Sequence, residues 1–448
     1  MRYETPGDIR TVFLQPSRFR ARISNRPFRV LSSPVPAQNS SRSLRLLSCS
    51  FVGGLILIVS SPLIGAPKIA QTLGKPGVWG QLESYPAVLE PPSSLLLEPE
   101  YLTPEFGWTF PKGWTEEQIL KFFEESGVSS EEAAALLLRG SILNSEDSTF
   151  FVPPVEQVRN FTPETRRTLY GSLGQWPTNS FEATPFALGA RRVSEIAALA
   201  PHSFPPELIT MADNLVYQDD STFLRFSDYS LICQQLPDSD SRIDFAKLLL
   251  RTPTLIVRVH LAPHLGQQSL RQYWSSNGMN STALPILDSY IDSIKDDESP
   301  APLDLVYLLP PVPKKLLFTF SPIDLGVAGS YPDCFWTALN FFLTEPNQRY
   351  FDPVLKSVVN SDWRQVPPPY QFGDLIILHQ PDGVEARHAC NYIADDIVFT
   401  KNGRSTYFPW VLQRLDEVRA QYGAANENQM KVFRHRKNFA PEDQSNPR

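Results

Sequence analysis

Proline is the feature that most constrains this chain: 42 of its 448 residues are proline, about twice the usual share. Proline has a fixed φ and no backbone N–H, so it breaks helix interiors and is kept out of central strands. The chain must therefore be assembled from short elements with stiff connections. Pro67, Pro76, Pro86, Pro91, Pro92, Pro99 and Pro104 cluster in 67–105, which reads as a linker. The remainder holds enough apolar residues for a core, with 42% hydrophobic and 20% charged. Its length suits two or three domains of the common ~150 residues. The net charge of −7 leaves no basic surplus to hold a phosphate backbone, so no nucleic-acid partner is expected.

Residues 1–66 read as a disordered extension followed by a targeting segment. Arg42 and Arg45 precede an apolar run, and small residues follow at Gly65 and Ala66. That order is the one of a secretory signal peptide. The run also approaches the ~20 residues that span a bilayer, so an uncleaved anchor is the alternative. A buried core helix is opposed by Gly53, Gly54, Ser60, Ser61 and Pro62. The expected setting is exported, periplasmic or membrane-anchored in the cell envelope, with membrane contact only through this segment. Cys49 precedes most of the apolar run, whereas a lipobox cysteine follows it.

Residues 106–253 read as a mainly helical domain. Thr115 and Gln118 have capping-box spacing, and Ile119, Phe122 and Phe123 supply an apolar face. Further helices are expected over 129–139, 162–173, where Pro163 suits the first position, and 204–215. Residues 254–315 read as a small α/β connecting region, with strands expected at 254–261 and 303–309 and a helix at 284–294. His260 and His264 are four apart, but Pro263 lies between them and no third ligand is adjacent, so no metal site is expected. Cys233, Cys334 and Cys390 are too few and scattered for a disulfide framework or a zinc site. No cofactor is expected.

The chemistry-bearing order lies in 316–438, with a disordered tail at 439–448. A strand is expected at 316–320. Pro332 then ends an extended stretch, Asp333 can cap a helix, and Phe335, Ala338, Leu339 and Phe342 have buried-face spacing. Cys334 thus stands at a helix start, where unpaired amides stabilise a thiolate and can hold an oxyanion. Gly373 and Asp374 form a turn before a strand at 375–378, and His379 is expected to end that strand on the surface. A second strand opens near His388, turns at Asp395 and Asp396, and returns through 397–402. If Ile393 pairs with Ile397, His388 faces Asn402, which could orient the imidazole. Turn chemistry at Asn402–Gly403 is the competing reason for Asn402, and Lys401 is the fallback neighbour. Cys390, two residues past His388, shares its face and reads as a small core residue. Asp395 and Asp396 read as a solvated turn without enough ligands for calcium.

This order resembles the NlpC-like branch of the papain-like superfamily over roughly 120 residues. The matching residues are Cys334, Gly373–Asp374–Leu375–Ile376, His388 through Ile393, and Asn402. The resemblance implies an α+β domain in which a cysteine-bearing helix packs on a small antiparallel sheet. It also implies a thiol peptidase or amidase with catalytic Cys334, His388 and Asn402, acting on peptide or peptidoglycan-like substrates. The alternative is an inactive member of that fold used for binding or assembly.

Overall fold

The strand Gln81–Leu89 pairs along its whole length with Thr252–His260, from Gln81 opposite His260 to Leu89 opposite Thr252. The expected linker is therefore built into a sheet. This four-stranded sheet also takes Thr72–Leu73 and Leu303–Asp304 at its edges. Pro86 lies past the short pairing with Thr72–Leu73, and among the described residues it has a partner strand on one side only, where proline is tolerated. The computed structural model describes residues 71–219, 223–261, 266–295, 302–321, 331–351, 355–424 and 426–439. The candidate export segment, Cys49, His264 and the tail 440–448 lie outside the described residues. The described residues belong to one compact unit, Ala66–Arg448.

The fold is mixed α and β with small antiparallel sheets. The region expected to be mainly helical carries two three-stranded sheets: one from Trp108–Pro111, Ser141–Asn144 and Ser148–Val152, the other from Phe186–Gly189, Tyr217–Gln218 and Leu224–Phe226. Its helices start where local chemistry says they should. Thr115 and Gln118 close a capping box on Glu116–Glu125, Ser129 and Glu132 another on Ser130–Arg139, and Thr162 caps Pro163–Leu173. An aromatic core that includes Trp108, Phe123, Phe151, Tyr170, Phe226, Tyr229 and Phe245 joins these elements. Within it, fully buried Arg166 donates to Asp228 at 2.9 Å and to the Val158 carbonyl at 2.6 Å, while the Tyr170 hydroxyl donates to Asp228 at 2.6 Å.

Residues 254–315 do not stand apart. Val257, Val259, Trp274 and Leu287 share one core with Trp336, Phe341, Phe399 and Trp410. Thr254 Oγ1 both donates to the Leu412 carbonyl at 3.0 Å and accepts from the Leu412 amide at 3.1 Å. Where strands were expected at 303–309 and 316–320, Leu303–Asp304 leads into a 3-10 turn at Leu305–Leu308, and a helix covers Pro311–Leu316. The prolines at 310, 311 and 313 explain this, because Pro311 suits a helix start and interrupts a strand.

The C-terminal part is a six-stranded antiparallel sheet. Its spatial order is Trp363–Gln365, Met430–His435, Leu375–His379, Ala386–Ala394, Ile397–Lys401 and Trp410–Arg414. Helix Cys334–Leu339 covers one face, where Ala338 and Leu339 pack with Leu375, Ile377 and Ala389. Val418 of helix Leu415–Gln421 covers the other, packing with Ile376, Leu378, Cys390 and Val398. Gly373 has φ +84°, and a Cβ there would collide with the Phe342 ring. Buried Asp374 receives two hydrogen bonds from Arg434, at 2.9 and 2.8 Å. The Gly-Asp-Leu segment thus ties Phe342, just past the cysteine helix, to Arg434 of the neighbouring strand Met430–His435.

Candidate active site

Asp333 caps the helix as expected, accepting from the Trp336 amide at 2.8 Å, and Cys334 is the first helical residue. The thiol is 6% exposed. Burial, and then the neighbouring Asp333 carboxylate, push its pKa up to about 12, against the pull of the Ala389, Phe335 and Cys334 backbone amides. With only six residues, the helix contributes little dipole; these local amides are what can hold charge on sulfur or on an oxyanion.

His388 is fully buried on strand Ala386–Ala394. Its Nε2 shares a 2.8 Å hydrogen bond with Thr400 Oγ1, and its Nδ1 has no partner among the described residues. Tyr422 stacks on the ring at 4.0 Å between centroids, 15° from parallel. Burial lowers the imidazole to about 3, so it is neutral at physiological pH.

No hydrogen bond joins Cys334 to His388, and strand alternation gives the reason. Ala389 packs under the cysteine helix, whereas Cys390 packs under Val418. His388 shares the Cys390 face, opposite the helix. Cys334 instead meets the strand at the Ala389 amide. The ladder between Ala386–Ala394 and Ile397–Lys401 runs only from Ala394↔Ile397 to Asn391↔Phe399. The amide of Ala389 lies beyond it, where the two strands part.

Asn402 is not the orienting residue; that correction follows from the same parting of the strands. It lies past the end of Ile397–Lys401, and its Nδ2 donates to Gln413 Oε1 at 2.9 Å. The residue that holds the imidazole is Thr400, diagonal to His388. Sequence reasoning paired directly opposite positions and so passed over Thr400. Other expectations also change. His379 is buried, 7% exposed, not on the surface. Asp395 accepts from the Lys75 amide at 2.9 Å and Asp396 from Arg414 at 2.6 Å, so this turn is anchored. His260 pairs with Glu83 at 2.9 Å, and no metal-binding cluster occurs among the described residues.

Two outcomes follow from His388. Thr400→Val keeps the volume but strands Nε2, which costs ~1–3 kcal/mol. If His388 serves catalysis, this change should lower kcat more than Asn402→Ala does; steady-state kinetics on both variants checks the order. The second concerns pH. The folded value of about 3 lies below the ordinary 6.5. The unfolded chain therefore takes up a proton that the folded chain refuses. The stability of neutral His388 is complete above the ordinary value and is lost as pH falls toward about 3, at up to ~1.4 kcal/mol per pH unit. Urea unfolding at several pH values should show this acid slope reduced in His388→Gln.

Five described cavities open elsewhere. One of about 230 Å³ is lined by Asn402, Gln413, Glu417 and Gln421, and neither Cys334 nor His388 lines any of the five. No helix among the described residues is long and apolar enough to cross a membrane. Comparison of the chain with protein families, with curated proteins and with solved structures finds no match.

Proposed function

We propose that the chain is a thiol hydrolase of amide bonds, with Cys334 as nucleophile, whose substrates are peptides of the peptidoglycan type. The observation that carries this reading is the thiol at the first helical position, beside the amides of Ala389, Phe335 and Cys334 itself. Those donors can stabilise sulfur as thiolate and then a carbonyl oxygen as it becomes negative. His388 is the candidate base. In the tautomer that donates Nε2–H to Thr400, Nδ1 carries the lone pair a base needs. The resting site is closed and neutral, so substrate entry must bring sulfur and Nδ1 together where the two strands part. The order of the segments, resembling NlpC-like enzymes, supports the same reading, with Thr400 in place of Asn402.

One observation favours a second reading, a non-enzymatic module for binding or assembly: His388 lies on the sheet face opposite the cysteine helix. The test is hydrolysis of a panel of peptides, including cell-wall stem peptides, by the full chain. Cleavage that disappears in Cys334→Ala supports the enzyme. Absence of cleavage across the panel supports the binding module, and cleavage that persists in Cys334→Ala overturns Cys334 as nucleophile.

A further inference from the structure

Lys401 is a fully buried cation on the same sheet face as the cysteine helix. Its Nζ donates to the Gly403 and Ser405 carbonyls, both at 2.8 Å, using two of its three N–H groups. The ammonium lies 5.6 Å from the Trp410 ring centre. Two contacts fix this assembly against the first turn of the helix. Trp410 Nε1 donates to Thr337 Oγ1 at 2.9 Å, and Arg404, from the turn that Lys401 grips, reaches Asp333 at 3.6 Å.

We propose that Lys401 is the positioning charge for Cys334: the ammonium that faces the thiolate when it forms and lowers the cost of forming it. This rests on Cys334 being the reactive thiol, and not on His388. The charged and titratable groups around the thiol are Asp333 before it, Lys401 from the facing strand, and Tyr422 and Cys390 from the far side. Of these, Lys401 is the buried cation; the other cation nearby, Arg404, is exposed and paired with Asp333 at 3.6 Å. Asp333 acts on sulfur with the opposite sign. Burial lowers Lys401 to about 7, against the pull of Asp333 and Cys334, so forming the thiolate also favours the charged lysine.

The opposed signs supply the test. The rate of iodoacetamide alkylation at Cys334 is followed from pH 6 to 11 by peptide mass spectrometry in the full chain, with Cys233 and Cys390 as internal references. Lys401→Met should slow alkylation of Cys334 about tenfold near pH 6, where Lys401 is charged, and the difference should fade as pH rises past the lysine's value of about 7. Lys401→Arg should keep the rate within about threefold, since the charge is retained. Asp333→Asn, which keeps a capping side chain, should accelerate it several-fold. Cys233 and Cys390 should be unmoved in every variant. The proposal is overturned if Lys401→Met leaves the Cys334 rate unchanged, or if it accelerates Cys334 and Cys390 together, as a loosened structure would. Because the readout is alkylation, it separates from the hydrolase reading: a shifted thiol with no hydrolysis refutes only the enzyme, and hydrolysis with an unshifted thiol refutes only the role of Lys401.

Discussion

Under the proposed hydrolase function, Cys334→Ala is expected to abolish amide hydrolysis, with a loss on the order of 10³-fold or more, while the protein stays folded. The magnitude follows from covalent catalysis, where removing the nucleophile leaves only what binding and oxyanion donors supply. The fold survives because only one buried heavy atom is lost, a cost of about 1 kcal/mol. Its neighbours Ala338, Leu339 and Ala389 keep their own packing. Rates and urea denaturation on the same preparation check both halves. A large loss of stability would assign Cys334 to packing.

The largest effect on stability is expected far from the sulfur. Asp228→Ala leaves fully buried Arg166 without its charge partner and Tyr170 without its acceptor. Breaking a buried pair from one side typically costs ~3–5 kcal/mol, because the remaining ion stays desolvated. Burial also raises the Asp228 carboxyl, against the pull of Arg166 and Tyr170, so the pair is held by its hydrogen bonds and not by cheap solvation. Replacing Arg166 and Asp228 together by apolar residues should recover part of the loss. A double-mutant cycle in urea measures it; additive losses would show that the two residues do not act as a pair.

What the sequence disclosed was local. Capping at Thr115 and Asp333 lies within three residues of its partner, and both caps are present in the structure. The turn at Gly373 and the hairpin around Asp395 were legible for the same reason. What was hidden was non-local. Nothing near Pro86 announces a partner strand at Thr252–His260, so a proline-rich stretch passed for a linker. The same limit governs the site. Counting along a hairpin put Asn402 opposite His388, but the strands part before that pair, and Thr400 takes the imidazole. His388 is covered by Tyr422, at the end of helix Leu415–Gln421 on the same sheet face, which no pattern near His388 encodes.

The reading turns on whether Cys334 and His388 act together although the resting structure keeps them on separate faces. The direct measurement is the site of attachment of a peptidyl chloromethyl ketone to the full chain, mapped by mass spectrometry in the wild type and in His388→Gln. A nucleophile with a base predicts attachment at Cys334 at least about tenfold faster than at Cys233 or Cys390, and loss of that preference in His388→Gln. Equal attachment at Cys233, or a Cys334 rate indifferent to His388, would contradict the pair and leave the binding module.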